Sequence, residues 1–407
     1  MKIVFVHNTY QQPGGEDLVF ADERDLLKSA GHEIVEYLRS NHEVSQYVSV
    51  RQLTLAKRTI WAGETREKFR ELLLREKPDV VHIHNTFVTI SPSIYWACRD
   101  AQVPVLQAVH NYRLLCPGAN FLRDGKICEE CMEHSVWRGV RYGCYQHSRA
   151  ATAVVAAMLT THRILGTWSR LIDCYLVPTQ FGRRKFIDAG FSTAKLVVKP
   201  HFVYPDPGQG TGDRSYALYV GRLSPEKGLR TLLFAWSQQR TAIPLQIIGD
   251  GPMRAELERC ALQLGLTNVC FRGSLPREQA LAAMKQARLL IFPSECYEGF
   301  GMAIIEAFAC GTPVIAAALG SPQELVEDGR TGKLFNPTDA HDLAEKVTWA
   351  WEHPEAMEFW GQQARLEYEA KYTAQRNYEM IMDVYQHVIR NYGLAHERLE
   401  TGLAISR

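Results

Sequence analysis

The segment YALYVGRLSPEKG, Tyr216–Gly228, decides the fold. Its apolar start, Tyr216–Val220, predicts a buried strand, and the glycine-rich loop that follows opens a helix. Anions bind where the carboxyl end of a parallel strand meets a helix start, because the first N–H groups of the helix are unpaired. Arg222 and Lys227 in this loop would neutralise a diphosphate, although a turn with solvated charges is the alternative interpretation.

The same alternation of short apolar strands and amphipathic helices occurs in two series along the chain. The first series of predicted strands is Lys2–Val6, Asp79–His84, Val103–His110, Cys174–Val177 and Leu196–Val198. The second series is Tyr216–Val220, Leu245–Ile248, Val269–Phe271, Leu289–Phe292 and Val314–Ala316. Such alternation indicates parallel sheets covered on both faces. We therefore predict an α/β fold of two doubly wound, Rossmann-like domains that face each other across a cleft, the expected active site.

Proline, glycine and polar residues crowd the segment HFVYPDPGQGTGDRS at 201–215, which indicates a linker. We expect a first domain at 1–203, with a cysteine-rich insertion at 112–148, and a second domain at 204–372.

Composition excludes several classes of protein. The 407 residues are 46% hydrophobic and 22% charged, with a net charge of +1, so nothing in the overall charge favours a nucleic-acid partner. No stretch reaches the roughly 18 apolar residues of a membrane span. The first strand turns polar too soon for a signal peptide, so we expect a cytoplasmic protein.

Several nucleotide-binding motifs are missing from the sequence, which narrows the classes of enzyme that fit it. After the first strand the chain reads PGGE, in which Gly14 and Gly15 could admit a phosphate or an acceptor against the backbone. This loop lacks the GxGxxG pattern of nicotinamide dehydrogenases, and the chain has no GxxxxGK[ST] P-loop. It also contains no Asp-x-Asp, so we expect no catalytic metal at the donor and assign the diphosphate charge to Arg222, Lys227 and backbone N–H groups.

The segment EGFGMAIIE places two carboxylates, Glu298 and Glu306, around the start of an apolar helix. Together with GRLSPEKG, GDGP and the rest of EGFGMAIIEAFACGTPVIA, it resembles the C-terminal domain of family 4 glycosyltransferases, which are retaining enzymes of GT-B fold. The spacing Glu-x7-Glu is the signature of that family. The resemblance extends to the PGGxE loop, the strand end DVVHIHN at Asp79–Asn85 and the AVHNYRLLCP segment around His110.

The resemblance implies roles for the matching positions. Arg222 and Lys227 would bind the donor diphosphate, Glu306 would accept hydrogen bonds from ribose hydroxyls, and Glu298 would lie beside the transferred sugar. His110 would contact the donor sugar from the first domain. The backbone N–H groups of the intervening loop would touch sugar hydroxyls or phosphate; these belong to Gly299, Phe300 and Gly301. A departure is Asn111, where many members carry an acid.

The implied reaction is transfer of a hexosyl-type sugar from a nucleotide-diphosphate sugar to a glycan, lipid-linked or small-molecule hydroxyl acceptor, in bacterial polysaccharide or glycolipid synthesis. The last amphipathic helix, about 373–395, would pack back on the first, acceptor-side domain, as in relatives. A nucleotide-sugar 2-epimerase of the same architecture is the alternative, and a non-catalytic binding protein is a third interpretation. The combination of Arg222, Lys227, Glu298 and Glu306 speaks against the third.

Four cysteines share the insertion, with the spacing C-x11-C-x2-C-x12-C: Cys116, Cys128, Cys131 and Cys144. This spacing is typical of a tetrahedral structural zinc site, and an iron–sulfur cluster could use the same ligands. His134 and His147 could each replace a cysteine, and free thiols are the remaining alternative.

The acceptor side has a basic segment. Residues 134–172 contain no Asp or Glu but carry five arginines: Arg138, Arg141, Arg149, Arg163 and Arg170. A buried helix with a basic end is one interpretation. The other is a surface that contacts anionic lipid or a lipid-diphosphate acceptor, at the inner face of the membrane.

Overall fold

The structure, a computed structural model, describes residues 1–10, 14–42, 50–211, 214–239 and 241–400. Its strands form two six-stranded parallel sheets and one antiparallel hairpin. The first sheet has the order β2-β1-β3-β4-β7-β8, with β1 (Lys2–Thr9), β2 (Glu33–Ser40), β3 (Val80–Ile83), β4 (Val105–Ala108), β7 (Cys174–Val177) and β8 (Leu196–Val198). The hairpin joins β5 (Leu122–Arg123) and β6 (Lys126–Ile127). The second sheet has the order β11-β10-β9-β12-β13-β14, with β9 (Tyr216–Val220), β10 (Leu245–Ile248), β11 (Val269–Gly273), β12 (Ala287–Phe292), β13 (Val314–Ala317) and β14 (Gly332–Phe335).

Helices connect these strands in both halves. Those before the second sheet are α1 (Gly15–Ser29), α2 (Val50–Ile60), α3 (Gly63–Glu76), α4 (Ile94–Asp100), α5 (Glu130–Glu133), α6 (Arg138–Tyr142), α7 (Arg149–Ile164), α8 (Thr167–Arg170) and α9 (Gln180–Asp188). Those that follow are α10 (Leu229–Ser237), α11 (Arg254–Gln263), α12 (Arg277–Gln286), α13 (Met302–Ala309), α14 (Ser321–Leu325), α15 (Ala340–Glu352), α16 (Pro354–Lys371) and α17 (Ala374–Glu400). The predicted α/β class with doubly wound sheets is confirmed.

Each sheet is buried on both faces because its strand side chains alternate between two cores. On β1, Val4 and Val6 join a core with α3, α4 and α7, whereas Ile3 and Phe5 join a second core on the opposite face. The second sheet divides in the same way. Leu218 of β9 packs with α13 and α16, and its neighbours along the strand pack with α10 and α15.

The last helix, α17, crosses back to the first sheet. Ile381 and Tyr385 of this helix share a core with Ile3 and Phe5 of β1. A bridge between Val203 and the residue that precedes α17 accompanies the crossing. The domain boundary at 203/204 stays a prediction.

Two strands, β2 and β14, were not predicted. β2 reads EIVEYLRS, in which charges interrupt the apolar run, and β14 is only the four residues GKLF. Both are edge strands, at the first and last positions of their sheets. An edge strand is partly exposed and tolerates charge, so the charged strands β2 and β14 escape a pattern that the uncharged edge strand β8 still satisfies.

Candidate active site

Topology places the predicted site residues at two facing positions. Strand order reverses between β1 and β3 in the first sheet and between β9 and β12 in the second. Ligands of open α/β sheets bind in the crevice outside the carboxyl ends of strands at such points. Gly14 and Gly15 follow β1, Arg222 follows β9, and Glu298 follows β12. The strand order therefore brings sequence-distant residues to one cleft.

Lys227 and Glu298 form an ion pair in this cleft. Nζ of Lys227 lies 2.7 Å from Oε1 of Glu298, which also accepts a hydrogen bond from the Ser294 hydroxyl. Burial alone would lower the pKa of Lys227, but the Glu298 carboxylate outweighs it and the pKa is raised, so the ammonium stays charged. The Arg222 side chain is exposed and pairs with no carboxylate among the residues described. Two cations thus stand at the predicted diphosphate position.

Glu306 has a partner that the sequence did not indicate. Its side chain is 11% exposed, and its Oε1 lies 3.2 Å from Nε of Arg277, at the start of α12. Nη1 of Arg277 is 3.1 Å from the carboxylate of Asp22 in α1 and also donates to the Tyr204 carbonyl at 2.7 Å. Burial raises the pKa of Glu306 and raises that of Asp22 to about 7. No sequence motif marks Arg277 or Asp22, because the two residues lie in different halves of the chain and meet only in the folded protein.

The loop between the two glutamates is pressed against the first domain. A Cβ on Gly299 would stand 2.1 Å from the carbonyl oxygen of His110, so glycine alone fits there. Gly301, which precedes α13, has φ +130°, a backbone conformation that other residues rarely adopt. The Phe300 ring is buried and meets His201 edge-on, 4.9 Å between ring centres.

Further hydrogen bonds join the two halves near this loop. The carbonyl oxygen of Glu298 accepts from the Tyr112 hydroxyl at 3.3 Å. The carboxylate of Glu324 in α14 accepts from the first two backbone N–H groups of α9, those of Gln180 and Phe181, each at 2.7 Å. This carboxylate caps a helix start that carries partial positive charge. The structure therefore shows the two halves in direct contact around the cleft.

His110 lies two residues beyond β4 and reaches the cleft from the first domain. Its Nε2 is 3.0 Å from Nδ1 of His84, and its ring stacks on His201 at 5.2 Å. Burial lowers the pKa of His110 well below its usual value, so its ring is neutral near pH 7. Beside it, Asn111 donates to the Glu16 carboxylate at 3.3 Å. Asn111 thus orients an acid of the PGGE loop.

A cavity of about 60 Å³ opens beneath His110. Its walls combine apolar and aromatic side chains, such as Tyr95, Met158 and Trp168, with polar ones, such as Asn85 and Gln107. Arg113 stands at its edge, over the Phe87 ring at 4.2 Å from the ring centre.

The four cysteines of the insertion are neighbours with free thiols: Cys116, Cys128, Cys131 and Cys144. Burial and the nearby thiols raise the pKa of Cys131 to about 12 and that of Cys144 to about 11. Sulfur atoms around a tetrahedral zinc stand about 3.8 Å apart, from a Zn–S distance of about 2.3 Å. Within the described part of the chain, no three of these sulfurs lie within 4.8 Å of one another. The metal site stays a prediction, and a metal would have to draw the thiols together.

The basic segment contains a buried helix with an exposed basic surface. Val155 and Leu159 of α7 are buried in the first core, and all five arginines of the segment are exposed. Large apolar side chains stand beside them, with Ile164 79% and Trp137 47% exposed. In the described ranges, no helix is both long and apolar enough to cross a bilayer.

Comparison with solved structures defines the class. The chain is similar to Anabaena Alr3699/HepE in complex with UDP, with TM-score 0.69, 20% identity, and coverage of 95% of this chain and 100% of that one. It is also similar to sucrose-phosphate synthase from Thermosynechococcus elongatus, with TM-score 0.71, 19% identity, and coverage of 96% and 99%. The fold is therefore the GT-B fold, as predicted.

Sequence comparison defines the family. The model described as "Glycosyl transferase 4-like domain" matches residues 25–201, and the model "Glycosyl transferases group 1" matches residues 207–367. The chain belongs to the family 4 glycosyltransferases of GT-B fold, which confirms the resemblance.

The chain matches named relatives over only part of their length. A D-rhamnosyltransferase of Pseudomonas aeruginosa is 34% identical over 161 residues, 39% of this chain and 42% of that protein. A sulfoquinovosyl transferase of Arabidopsis thaliana is 32% identical over 308 residues, 73% of this chain and 54% of that protein. The matched region thus spans about half the length of these curated relatives or less.

Proposed function

We propose that the protein is a retaining glycosyltransferase that moves a sugar from a nucleotide-diphosphate sugar to a hydroxyl acceptor, in polysaccharide or glycolipid synthesis. The observation that carries this proposal is the Lys227–Glu298 pair beside exposed Arg222, at the strand-order reversal of the second sheet. The names of relatives support it, because a rhamnosyltransferase and an O-antigen chain mannosyltransferase are among them. The solved neighbour with UDP supports a nucleotide donor.

Binding of the donor would rearrange the ion pair. Lys227 would turn from Glu298 to the diphosphate, which carries more charge, and Arg222 would bind the same group. The freed carboxylate of Glu298 would then accept hydrogen bonds from hydroxyls of the transferred sugar. Arg277 bonds to Oε1 of Glu306, and Oε2 of Glu306 would accept from the ribose hydroxyls. N–H groups of the pressed loop, from Gly299 to Gly301, and the loop at Gly14 and Gly15 would line the site.

The reaction breaks the bond between the anomeric carbon and the diphosphate oxygen and forms a bond from that carbon to the acceptor oxygen. The acceptor attacks from the leaving-group face, so configuration is retained, and its proton passes to a phosphate oxygen. Arg222 and Lys227 stabilise the departing negative charge. His110 contacts the donor sugar on the other side of the cleft.

The experiment is a thermal-shift screen with UDP-, GDP-, ADP- and TDP-sugars, followed by turnover of the sugar that stabilises the protein. A ligand that binds only the folded state raises Tm with its affinity and concentration. Stabilisation by one nucleotide sugar, lost in Lys227→Ala, is the expected result. Stabilisation that persists in Lys227→Ala together with Arg222→Ala contradicts the donor site. Conversion of the donor to its 2-epimer without an acceptor would assign the alternative function.

The acceptor proposed is a lipid-linked glycan at the inner face of the membrane. The exposed arginines and aromatic groups around α7 support this partner, since such a surface complements anionic lipid. Vesicles containing anionic phospholipid should sediment the protein, and neutral vesicles should not. Replacing Arg138, Arg141 and Arg163 by Gln should release it; retention by the triple variant contradicts the membrane proposal.

The cysteine insertion is proposed to hold a structural zinc. The spacing and the four neighbouring free thiols support it. Elemental analysis of the purified protein should find about one equivalent of zinc, or of iron for a cluster, lost in Cys128→Ser together with Cys131→Ser. Less than about a tenth of an equivalent rejects the site.

A further inference from the structure

A buried polar network lies behind His110 in the first domain. Its members are at most 8% exposed and come from α1, β1, β3 and the segment after β8: His7, Glu23, His82, His84, Lys199 and His201. Burying an ionisable group costs free energy unless a partner compensates its charge, so the contacts within this cluster determine its role.

The network connects a carboxylate to His110 in two steps. Oε1 of Glu23 pairs with the Lys199 ammonium, and Oε2 lies 3.5 Å from Nε2 of His84. The other ring nitrogen of His84, Nδ1, is 3.0 Å from Nε2 of His110. The first step is a charge contact that lacks hydrogen-bond geometry, whereas the second is a hydrogen bond, in which one nitrogen carries the proton and the other a lone pair. The direction of the first step therefore determines the direction of the second.

The charges select one direction. Burial raises the pKa of Glu23, but the Lys199 and His82 charges and the Lys199 hydrogen bond outweigh it, so the pKa lies below its usual value and the carboxylate is ionised. Burial lowers the pKa of His84 and His110 well below the usual value, so each ring carries one proton. The ionised carboxylate, 3.5 Å from Nε2 of His84, attracts an N–H and repels a lone pair, which places the His84 proton on Nε2. Nδ1 of His84 must then accept from Nε2–H of His110.

We infer that Glu23 and His84 are positioning residues that hold His110 as its Nε2–H tautomer, so that Nδ1 of His110 accepts a hydrogen bond from a hydroxyl of the donor sugar. None of the described residues hydrogen-bonds this Nδ1, and the half-buried ring lines the cavity. The inference rests on the proposed function for the identity of the ligand. His110 touches the sugar, and Glu23 and His84 act through it.

Three residues of this network are also close enough to one another to hold a metal ion. Ligand atoms of Glu23, His82 and His84 lie within 4.8 Å of one another. The Lys199 ammonium already neutralises the carboxylate, and a divalent cation beside a buried ammonium would be strongly repelled. We therefore assign these residues to positioning, and metal content is one outcome of the test.

The tautomer can be measured without any activity. Full-length protein with ¹⁵N-labelled histidine gives long-range ¹H–¹⁵N correlations that distinguish the two ring nitrogens, and His110→Asn assigns the signals. We expect His110 in the Nε2–H form in the native protein and a mixture of tautomers in His84→Phe. The Nδ1–H form in the native protein, or an unchanged spectrum in His84→Phe, overturns the inference. This readout does not depend on turnover, so absence of transfer would refute the proposed function alone.

Kinetics give the second test. His84→Phe removes the partner of His110 and should lower kcat about five- to tenfold, the value of one hydrogen bond. His84→Asn keeps an oxygen that can accept from Nε2–H and should recover most of kcat. Tyr385→Phe is the matched control, because its hydroxyl bonds Nδ1 of His82 at 2.7 Å, away from His110. A loss of kcat in His84→Asn or in Tyr385→Phe equal to that in His84→Phe overturns the positioning role. So does a stoichiometric metal in the native protein that is absent from His82→Phe.

Discussion

Arg277→Met removes the guanidinium that lies between Asp22 of α1 and Glu306 of α13. The side chains of Asp22 and Glu306 are only 10% and 11% exposed, whereas the Arg277 side chain is 26% exposed. Removing one partner of a buried ion pair costs about 3–5 kcal/mol, and the partial exposure reduces this to about 2–3 kcal/mol at pH 8. For domains of this size 1 kcal/mol shifts Tm by about 2–4 °C, so we expect a loss of about 4–12 °C.

The loss should depend on pH, with a sign set by the raised pKa values. The folded pKa of Asp22, about 7, lies above the unfolded value near 4, and burial raises that of Glu306 as well. The folded state therefore keeps protons that the unfolded chain has lost, and stability falls as pH rises from about 4 through 7. Without Arg277 both pKa values rise further, so the fall becomes steeper. At pH 5 the Asp22 carboxyl is largely protonated, and the loss should be under half of that at pH 8.

The assay is scanning calorimetry at pH 5 and pH 8 with constant ionic strength. Arg272→Met is the matched control, because Arg272 donates to the neutral Gln246 amide oxygen at 3.2 Å, and its Tm shift should be small at both pH values. A shift for Arg277→Met that is equal at the two pH values would refute the ion-pair reasoning.

Three further predictions concern the cleft. Lys227→Ala should lower kcat/KM about 100-fold, because it removes a cation that stabilises the leaving group. The control is Arg230→Ala, which replaces an exposed neighbouring cation and should leave turnover unchanged. Equal effects of the two substitutions would contradict the assignment of Lys227 to the diphosphate. Glu324→Gln weakens the charged cap on α9 and should cost about 1–2 kcal/mol, read as a lower Tm; no change would show that the contact is dispensable. Gly299→Ala should abolish transfer, since its Cβ would stand 2.1 Å from the His110 carbonyl; kinetics within twofold of the native protein would reject the close approach.

Regular features of the fold were accessible from the sequence. β7, β8, β9 and β10 have the predicted bounds, because each is a short run of mostly apolar residues with no charge to interrupt it. The edge strand β2 was missed because an exposed edge accepts Glu and Arg. The candidate site residues also divide into those that a local sequence pattern predicts and those that it does not. Those within one loop carry a local pattern, as GRLSPEKG does.

What the sequence by itself determined is the α/β class, the two series of strands and the family signature of Glu298 and Glu306. These depend on periodicity and spacing, which are properties of neighbouring residues. Only the tertiary structure decided which groups meet. Arg277 joins Asp22 across 255 positions of chain, and Glu23 stands behind His84 and its partner His110. Charge, proton position and burial at these pairs arise from contacts between distant segments, and no local pattern encodes them.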